Sequence, residues 1–259
     1  MRIARTNGAL AALHTLSCSV SVGGSVDDPC ETDADCAALG FADAVCDAGQ
    51  GICVPRGGGA ACKTSVECEQ LSGGKPSICR SDTKTCVQLT SEDCVEVFGD
   101  HADPNAIILG FLGPLVGDDK STGEPIRDGS KLALNELKNN GGLPSLDGGT
   151  PRQVAMVYCH DLDAPEDNPY RAAKHLVDDV GVAAILGPAF SGVTINTAKQ
   201  VTIPGGVLTI SASATSPSIT DLDDDGLVWR TCPSDALQAI PLAAVVPPIE
   251  QQLRAEQML

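Results

Sequence analysis

Small polar residues follow the apolar runs of this sequence, and their types suit the binding of a small carboxylate. Ser191 and Gly192 come after the run VAAILG (182–187), at the start of a stretch with helical spacing. The free backbone amides and the positive dipole end of a helix N-terminus favour an anion there. Thr215, after the run GVLTIS (206–211), carries a hydroxyl that can donate to a carboxylate and accept from an ammonium group. Because serine and glycine are small, a ligand could approach the backbone closely.

The same residues also have a purely structural interpretation. Ser191 could serve only as the N-cap of its helix, and residues 211–220 could form an ordinary polar loop before Pro217. Spacing alone leaves both interpretations open.

The elements that would position these residues are four short apolar runs and a fifth strand. The four runs are continuously apolar rather than alternating, which is typical of strands buried on both faces of a parallel sheet. With a strand order of 2-1-3-4-5, a ligand would sit beyond the carboxyl ends of the strands, where the order reverses. The segments are AIILGFL (106–112), QVAMVY (153–158), VAAILG (182–187), GVLTIS (206–211) and LVWRTC (227–232).

Helical patterns lie between these strands. Glu124 and Pro125 predict the start of a first helix, which Asn140 and the following glycines end. A second helix would bury Tyr170, Ala173, Val177 and Val180, and a third would span about 192–201. Alternating strands and helices with right-handed crossovers predict an α/β fold with a doubly wound, mostly parallel sheet, preceded by a small disulfide-rich region.

Four stretches in this region resemble one family. They are ILGFLGPLVGDDKSTGEPIRDGSKLALNELKNNGG, VAAILGPAFSGVT, GVLTISASATSPSIT and LVWRTCPSDALQ, and they cover about residues 106–246. The order and spacing are similar to the first lobe of type 1 periplasmic (solute-)binding proteins. This group includes leucine/isoleucine/valine-binding proteins and the extracellular ligand-binding region of metabotropic glutamate receptors.

The resemblance implies a function and a set of binding residues. Family members clamp a ligand between two similar lobes, with the ligand's α-carboxylate on a serine that Ser191 matches. It implies an extracytoplasmic component of an ABC-type uptake system for an amino acid or similar small carboxylate, with a membrane permease and ATPase as partners. The chain ends at Leu259, so the sequence suggests a truncated form without a second lobe. The implied ligand-binding residues are Thr122, Ser191, Gly192, Ser213, Ala214 and Thr215.

An alternative function stays open beside this one. The cysteine-rich region described next is unusual for a transport binding protein. An envelope-anchored sensor or protein-interaction module, with the lobe as a scaffold, would account for it.

The cysteines between Pro29 and Gln88 form a double repeat. Successive cysteines are separated by 5, 9 and 6 residues in the first copy and by 5, 10 and 6 in the second. No CxxC pair occurs, and structural zinc sites usually space paired ligands two to four residues apart. We therefore predict disulfides rather than zinc, with the pairing undecided among three possibilities per copy. The candidates are Cys30, Cys36, Cys46, Cys53, Cys62, Cys68, Cys79 and Cys86.

Three further cysteines follow the repeats: Cys94, Cys159 and Cys232. In the predicted strand order the last two lie far apart, so a direct bridge between them is disfavoured. A bridge from Cys94 to either of them would tie the cysteine-rich region to the lobe.

The N-terminus predicts export. Two arginines precede a short apolar run that ends at Cys18, too short to span a bilayer. The stretch Thr15-Leu16-Ser17-Cys18 resembles a bacterial lipobox, which implies lipidation of Cys18 and a periplasmic or envelope location with membrane contact through a lipid anchor only. The predicted regions are a leader (1–18), the cysteine repeats (19–94), a linker (95–104), the lobe (105–246) and a C-terminal segment (247–259).

Other classes of function have little support. A formal net charge of −17 disfavours nucleic acid as a partner, and 3% aromatic residues make a base-stacking platform unlikely. No GxSxG, Walker A, HExxH or GxGxxG motif occurs, so we predict neither an enzyme nor a cofactor. Residues 221–226 match half of an EF-hand loop, but Cys232 stands where a bidentate glutamate is needed, so no metal is predicted. His160 and Asp161 are expected in a solvated loop.

Overall fold

The computed structural model describes residues 30–38, 44–47, 52–55, 62–145, 148–161 and 170–256. The chain divides into two compact units, Met1–Arg56 and Gly57–Leu259. The predicted leader and Cys18 lie outside the described residues.

The first unit contains the first cysteine repeat. Helix α1 (Asp33–Ala38) precedes an antiparallel hairpin of β1 (Ala44–Asp47) and β2 (Ile52–Pro55). A disulfide joins Cys30 to Cys46, the first and third cysteines of the repeat. Cys36 is also disulfide-bonded, whereas the side chain of Cys53 lies outside the described part of the chain.

The second repeat has the same plan and belongs to the second unit. It consists of α2 (Ser65–Leu71) and the antiparallel strands β3 (Ser77–Cys79) and β4 (Cys86–Gln88). The disulfides join first to third and second to fourth cysteine, which decides the pairing that the sequence left open. These bonds are Cys62–Cys79 and Cys68–Cys86.

Helix α2 begins with a capping box. The hydroxyl of Thr64 accepts a hydrogen bond from the amide of Glu67, and the Glu67 carboxylate accepts from the amides of Lys63 and Thr64. These contacts satisfy amides that a helix start otherwise leaves open, which stabilises a short helix in a module with few apolar residues.

The lobe is built on one six-stranded sheet. Its order is β10-β9-β8-β6-β7-β5, and all neighbours are parallel except β5 with β7. This confirms the α/β class, the five predicted strands and their order. The strands are β5 (Cys94–Phe98), β6 (Ile107–Gly113), β7 (Val154–His160), β8 (Ala184–Leu186), β9 (Leu208–Ser211) and β10 (Val228–Arg230).

Strand β5 is a departure from the sequence analysis. Residues 95–104 were predicted as a linker, but Val95–Phe98 continue β5 along the outer edge of β7. The disulfide Cys94–Cys159 joins the same two strands, in line with the predicted tie between the cysteine-rich region and the lobe. Cys232 is a free thiol.

Four α-helices accompany the sheet in the described part of the lobe. Helices α4 and α5 each continue into π-helical turns, so their helical stretches end at Val180 and Thr202. The helices are α3 (Lys120–Asn139), α4 (Arg171–Lys174), α5 (Ser191–Thr197) and α6 (Asp235–Ala255).

Helix α3 starts earlier than predicted. It begins at Lys120, so Pro125 lies inside the helix instead of at its start. A proline removes the hydrogen bond to the residue four positions earlier. Here Pro125 and Ser121 are both exposed, and water can reach the freed carbonyl.

The second cysteine repeat shares the apolar core of the lobe. Ile78, Val87 and Leu89 of the repeat lie in one buried cluster with Leu176 and Val180 of the lobe. The second repeat therefore packs as part of the lobe, and the boundary between compact units falls after Arg56.

Helix α6 differs from the other helices because none of its residues is buried. Except for Leu253, its large apolar side chains are at least half exposed, and three prolines lie within it. Among the residues that the structure describes, no helix combines the length and the apolar character needed to cross a membrane.

Candidate functional site

The loops after β6 and β8 approach each other at the carboxyl edge of the sheet. Gly187 has φ +110°, and a Cβ there would lie 1.8 Å from the carbonyl oxygen of Leu112. Only glycine fits such an approach. It lets the chain at the end of β8 lie directly against Leu112 of β6.

Ser211 joins the loops after β8 and β9. Its side chain is fully buried; the hydroxyl donates to the carbonyl oxygen of Pro188 (2.6 Å) and accepts from the amide of Ala214 (3.0 Å). The sequence analysis did not assign a role to Ser211. Its position at the last residue of a buried strand was the available signal.

Ser191 is the first residue of α5, and Phe190 occupies the N-cap position. The Ser191 hydroxyl accepts a hydrogen bond from the amide of Ser216 (3.1 Å), so the structure does not support a role as N-cap. Since the oxygen acts as acceptor in that contact, its own O–H can still donate to a ligand. The first amides of a helix also lack intrahelical partners.

Ser213 and Ala214 make their contacts mainly within the lobe. The Ser213 hydroxyl donates to the carbonyl oxygen of Ala189 (2.7 Å). Ala214 is only 1% exposed, its amide is bound to Ser211, and its carbonyl accepts from the thiol of Cys232 (3.3 Å). These contacts hold the loop, and the assignment of Ala214 as a ligand-binding residue stays a prediction.

Thr215 and Gly192 offer groups that the fold does not use. The Thr215 hydroxyl is half-buried and has no hydrogen-bond partner among the described residues, while its carbonyl accepts from the amide of Asp235 (2.9 Å). Gly192 is exposed. Thr122 lies in the first turn of α3, half-buried, and within the described ranges its side chain makes no hydrogen bond to the loops of Ser191 or Thr215.

Arg230 secures the far side of the loop that carries Thr215. Its guanidinium donates to the carbonyl oxygen of Ser216 (2.6 Å) and to the hydroxyl of Thr220. The sequence analysis did not single out Arg230, because its role depends on the pairing of β10 with β9.

His160 and Asp161, at the end of β7, do not lie in a solvated loop as expected. The His160 side chain is 11% exposed, and its Nδ1 and both carboxylate oxygens of Asp161 are buried without a hydrogen-bond partner in the part of the chain that the structure describes. Burial, with a smaller contribution from the charge of Asp119, raises the pKa of Asp161 to about 7. The neighbouring Asp93 differs, because hydrogen bonds from Arg171 (2.5 and 2.6 Å) keep its pKa below the usual range.

The acidic turn at 221–226 is closed by the side chain of Asp224. The carboxylate of Asp224 accepts hydrogen bonds from the amides of Gly226 and Val228, both at 2.9 Å. Asp225 has φ +50°, a left-handed conformation suited to a tight turn. This arrangement is a simple connection between β9 and β10.

Sequence relatives match the lobe. Leu/Ile/Val-binding protein BraC3 of Rhizobium johnstonii is 33% identical over 141 residues, covering 54% of this chain and 34% of the relative. Leu/Ile/Val-binding protein homolog 1 of Brucella abortus is 31% identical over 134 residues, covering 51% and 33%. The chain therefore spans about a third of the length of these relatives.

Solved structures give a similar picture. The branched-chain amino acid transporter substrate-binding protein LivJ from Streptococcus pneumoniae, in complex with isoleucine, is 27% identical, with a TM-score of 0.43 over 50% of this chain and 34% of that one. An ABC transporter substrate-binding protein from Desulfitobacterium hafniense in complex with Leu is 26% identical, with a TM-score of 0.44, over 54% and 38%.

The family model described as "Periplasmic binding protein" matches residues 106–246, more than half of the chain. This range contains the sheet from β6 to β10 and the three loops at its carboxyl edge. The chain belongs to the periplasmic binding protein family.

Proposed function

We propose that the lobe binds the α-carboxylate of an amino acid, or a similar small carboxylate, as the extracytoplasmic solute-binding component of an ABC-type uptake system. The observation that carries this proposal is the hydrogen bond between Ser191 and Ser216. It joins the start of α5 to the loop of Thr215, which supports a site in which the O–H groups of Ser191 and Thr215 donate to one ligand.

The contacts around these residues support a preformed site. Pro188 and Ala189 accept hydrogen bonds from Ser211 and Ser213, so both loops are fixed before a ligand arrives. A preformed loop loses little conformational entropy on binding. A carboxylate between Ser191 and Thr215 would receive two hydroxyl donors and the free amides of α5.

Relatives suggest the ligand class. Two of them are named for leucine, isoleucine and valine, and two solved relatives contain isoleucine or leucine. On this basis a branched-chain amino acid is the first ligand to test, and a permease with its ATPase is the proposed partner.

Ligand-observed NMR on the oxidised chain tests the proposal, because it detects complexes from micromolar to millimolar dissociation constants. We expect saturation transfer from the protein to leucine, isoleucine or valine, and competition by other α-amino acids. No transfer to any α-amino acid or small carboxylate would reject the assignment.

We further propose that the chain is exported and lipidated at Cys18. The lipobox-like stretch before this residue supports the proposal. Radiolabelled palmitate should be incorporated into the chain in bacterial cells, and Cys18→Ala should abolish the label. Retention of the label in that variant would rule out Cys18 as the lipidated residue.

A further inference from the structure

The histidines that the structure describes all contact the second cysteine repeat or residues 89–93, which join that repeat to β5, or face an acid there. Each ring lies against an acidic side chain. The pairs are His101 with Glu69, His160 with Asp93, and His175 with Asp179. Histidine is the side chain that ordinarily changes its charge between pH 5 and pH 8. The junction between the repeat and the lobe therefore contains groups suited to respond to pH.

His175 places both ring nitrogens against hydrogen-bond acceptors. Its Nδ1 lies 3.0 Å from a carboxylate oxygen of Asp179, and its Nε2 lies 3.1 Å from the carbonyl oxygen of Leu89. A carbonyl and an ionised carboxylate can only accept, so both contacts are hydrogen bonds only when the ring carries two protons. A neutral ring has one N–H and keeps one of the two. Since Leu89 is fully buried, little water is available to replace a lost donor there.

His101, between β5 and β6, links the lobe to helix α2 of the repeat. Its Nε2 lies 2.7 Å from a carboxylate oxygen of Glu69, and the two side chains are 17% and 31% exposed. This contact is an ion pair only while the imidazole is protonated, and hydrogen bonds between two charged groups are stronger than those of neutral donors. Two arginines and two aspartates line the same cavity as His101, so their charges largely cancel: Arg80, Arg152, Asp82 and Asp103.

The charged groups around His175 include an anion that stays ionised. Hydrogen bonds from Arg171 (2.5 and 2.6 Å), with smaller contributions from the charges of Arg171, His160 and His175, keep the pKa of Asp93 below its usual range. Arg171 also reaches the carboxylate of Glu92 at 2.8 Å. The charged residues nearest to His175 in the sequence are exposed: Lys174 and Asp178.

His160 differs from the other two histidines. Its Nε2 is 3.5 Å from a carboxylate oxygen of Asp93, and its buried Nδ1 has no partner among the described residues. A second proton on this ring would therefore gain no acceptor, so His160 is not assigned to the attachment. Its neighbour Asp161 titrates within the lobe itself, which the experiment below takes into account.

We propose that His175 and His101 form a pH-sensitive attachment between the second cysteine repeat and the lobe. When both rings are protonated, His175 holds Asp179 and Leu89 together and His101 pairs with Glu69. As the pH rises through the range in which imidazole loses its proton, these contacts weaken and the repeat separates locally from the lobe more often. The apolar cluster that the repeat shares with the lobe remains, so the lobe stays folded. The inference does not depend on solute binding.

Amide hydrogen exchange of the oxidised chain, followed by NMR and corrected for the intrinsic exchange rate at each pH, tests this proposal. The reporters are the amides of hairpin β3–β4 and of Leu89, because a short hairpin is only marginally stable without packing. We expect their protection, relative to the β8 amides, to fall roughly ten-fold from pH 5 to pH 8, since donors to buried acceptors are lost. The ratio to β8 removes any effect of Asp161 on the whole lobe.

Three variants separate the histidine charge from a structural role. His101→Gln/His175→Gln keeps side-chain donors but no group that changes charge, and should make the protection ratio independent of pH. Asp179→Asn leaves His175 in place without its anionic partner and should reduce the dependence. The matched control is Asp178→Asn, at an exposed acid of the same helical stretch whose side chain makes no hydrogen bond or ion pair within the described residues.

Three results would overturn the proposal: a protection ratio in the parent chain that is the same at pH 5 and pH 8, a double variant that retains the dependence of the parent, or an equal effect of Asp178→Asn and Asp179→Asn. Protection of the β6 amides at the parent level shows that each variant is folded.

Discussion

Arg80 and Asp179 are 99 positions apart, and Nη1 of Arg80 donates a 2.8 Å hydrogen bond to the carbonyl oxygen of Asp179. The same nitrogen reaches the carbonyl oxygen of Asp178 at 2.7 Å. Asp178 and Asp179 lie at the end of a helical stretch, and the residue that follows it, Gly181, has a left-handed backbone. A Cβ at Gly181 would lie 3.3 Å from the guanidinium of Arg80. A cysteine-rich repeat thus supplies the cation that ends a helix of the lobe.

Arg80→Ala should destabilise the lobe by about 1–3 kcal/mol, because the terminal carbonyls lose a charged donor. Urea unfolding of the oxidised protein measures the change. The control is Lys75→Ala, at an exposed lysine of the same repeat. Equal stability of the two variants would mean that the repeat does not support the lobe through this contact.

Asp161→Asn should stabilise the protein at pH 8 and have little effect near pH 4. Because burial raises the pKa of Asp161 to about 7, the folded state retains a proton that the unfolded state releases near pH 4. At low pH the buried carboxyl is protonated and neutral. The free energy of unfolding then falls as the pH rises from about 4 to about 7, because the buried group must ionise. Above that pH the cost is on the order of 2–4 kcal/mol.

Urea unfolding of the Asp161 variant at several pH values, with the exposed Asp223→Asn as control, tests this dependence. The curves for Asp161→Asn and the parent chain should converge at low pH and diverge above pH 6. Parallel curves across the range would show that the buried carboxyl does not titrate as expected.

Thr215→Val should weaken amino acid binding by about 1–3 kcal/mol, because valine has nearly the shape of threonine but no hydroxyl to donate to the ligand carboxylate. Ser191→Ala should have a similar effect, and it also removes the acceptor for the amide of Ser216. Calorimetric titration with the best ligand gives both values. Thr83→Val, at an exposed threonine of the second repeat, is the matched control. Unchanged affinity in both site variants would reject the site, and thermal melts would identify any loss of folding.

The paired substitution Cys94→Ser/Cys159→Ser should lower the free energy of unfolding by about 2–4 kcal/mol, because the disulfide restricts the unfolded chain. Hydrogen exchange of the β5 amides should accelerate more than that of β8. If β5 exchanges at the parent rate, its hydrogen bonds to β7 are sufficient to hold it.

The sequence predicted the parts of the fold that are set by local patterns. Buried parallel strands have continuous apolar runs, and the order 2-1-3-4-5 follows from the family resemblance and crossover rules. Strand β5 has no such signal, because its sequence CVEVF alternates and includes Glu96. It pairs with β7 in the antiparallel direction, and the cysteine that it faces, Cys159, is distant in the sequence. The start of α3 was misplaced because Pro125 indicates a helix start from sequence alone.

The candidate site was predictable to a similar extent. Ser191 and Thr215 could be identified because small polar residues after buried strands are visible in the sequence. The buried hydrogen bond between Ser211 and Pro188, and the contact of Arg230 with Ser216, depend on how separate loops meet. Neither residue type nor spacing determines such contacts.

The bond between Cys94 and Cys159 also gives the lobe a defined path for mechanical force. Along the covalent chain, tension from the cysteine repeats passes from residue 94 directly to residue 159 and continues toward α5. The segment between these cysteines, which includes β6, α3 and Thr122, forms a covalently closed loop that the intact disulfide protects from extension. Even when the non-covalent contacts of the lobe are broken, a pull on the repeats would extend the chain that carries Ser191 and Thr215 and leave the first loop of the candidate site unstretched.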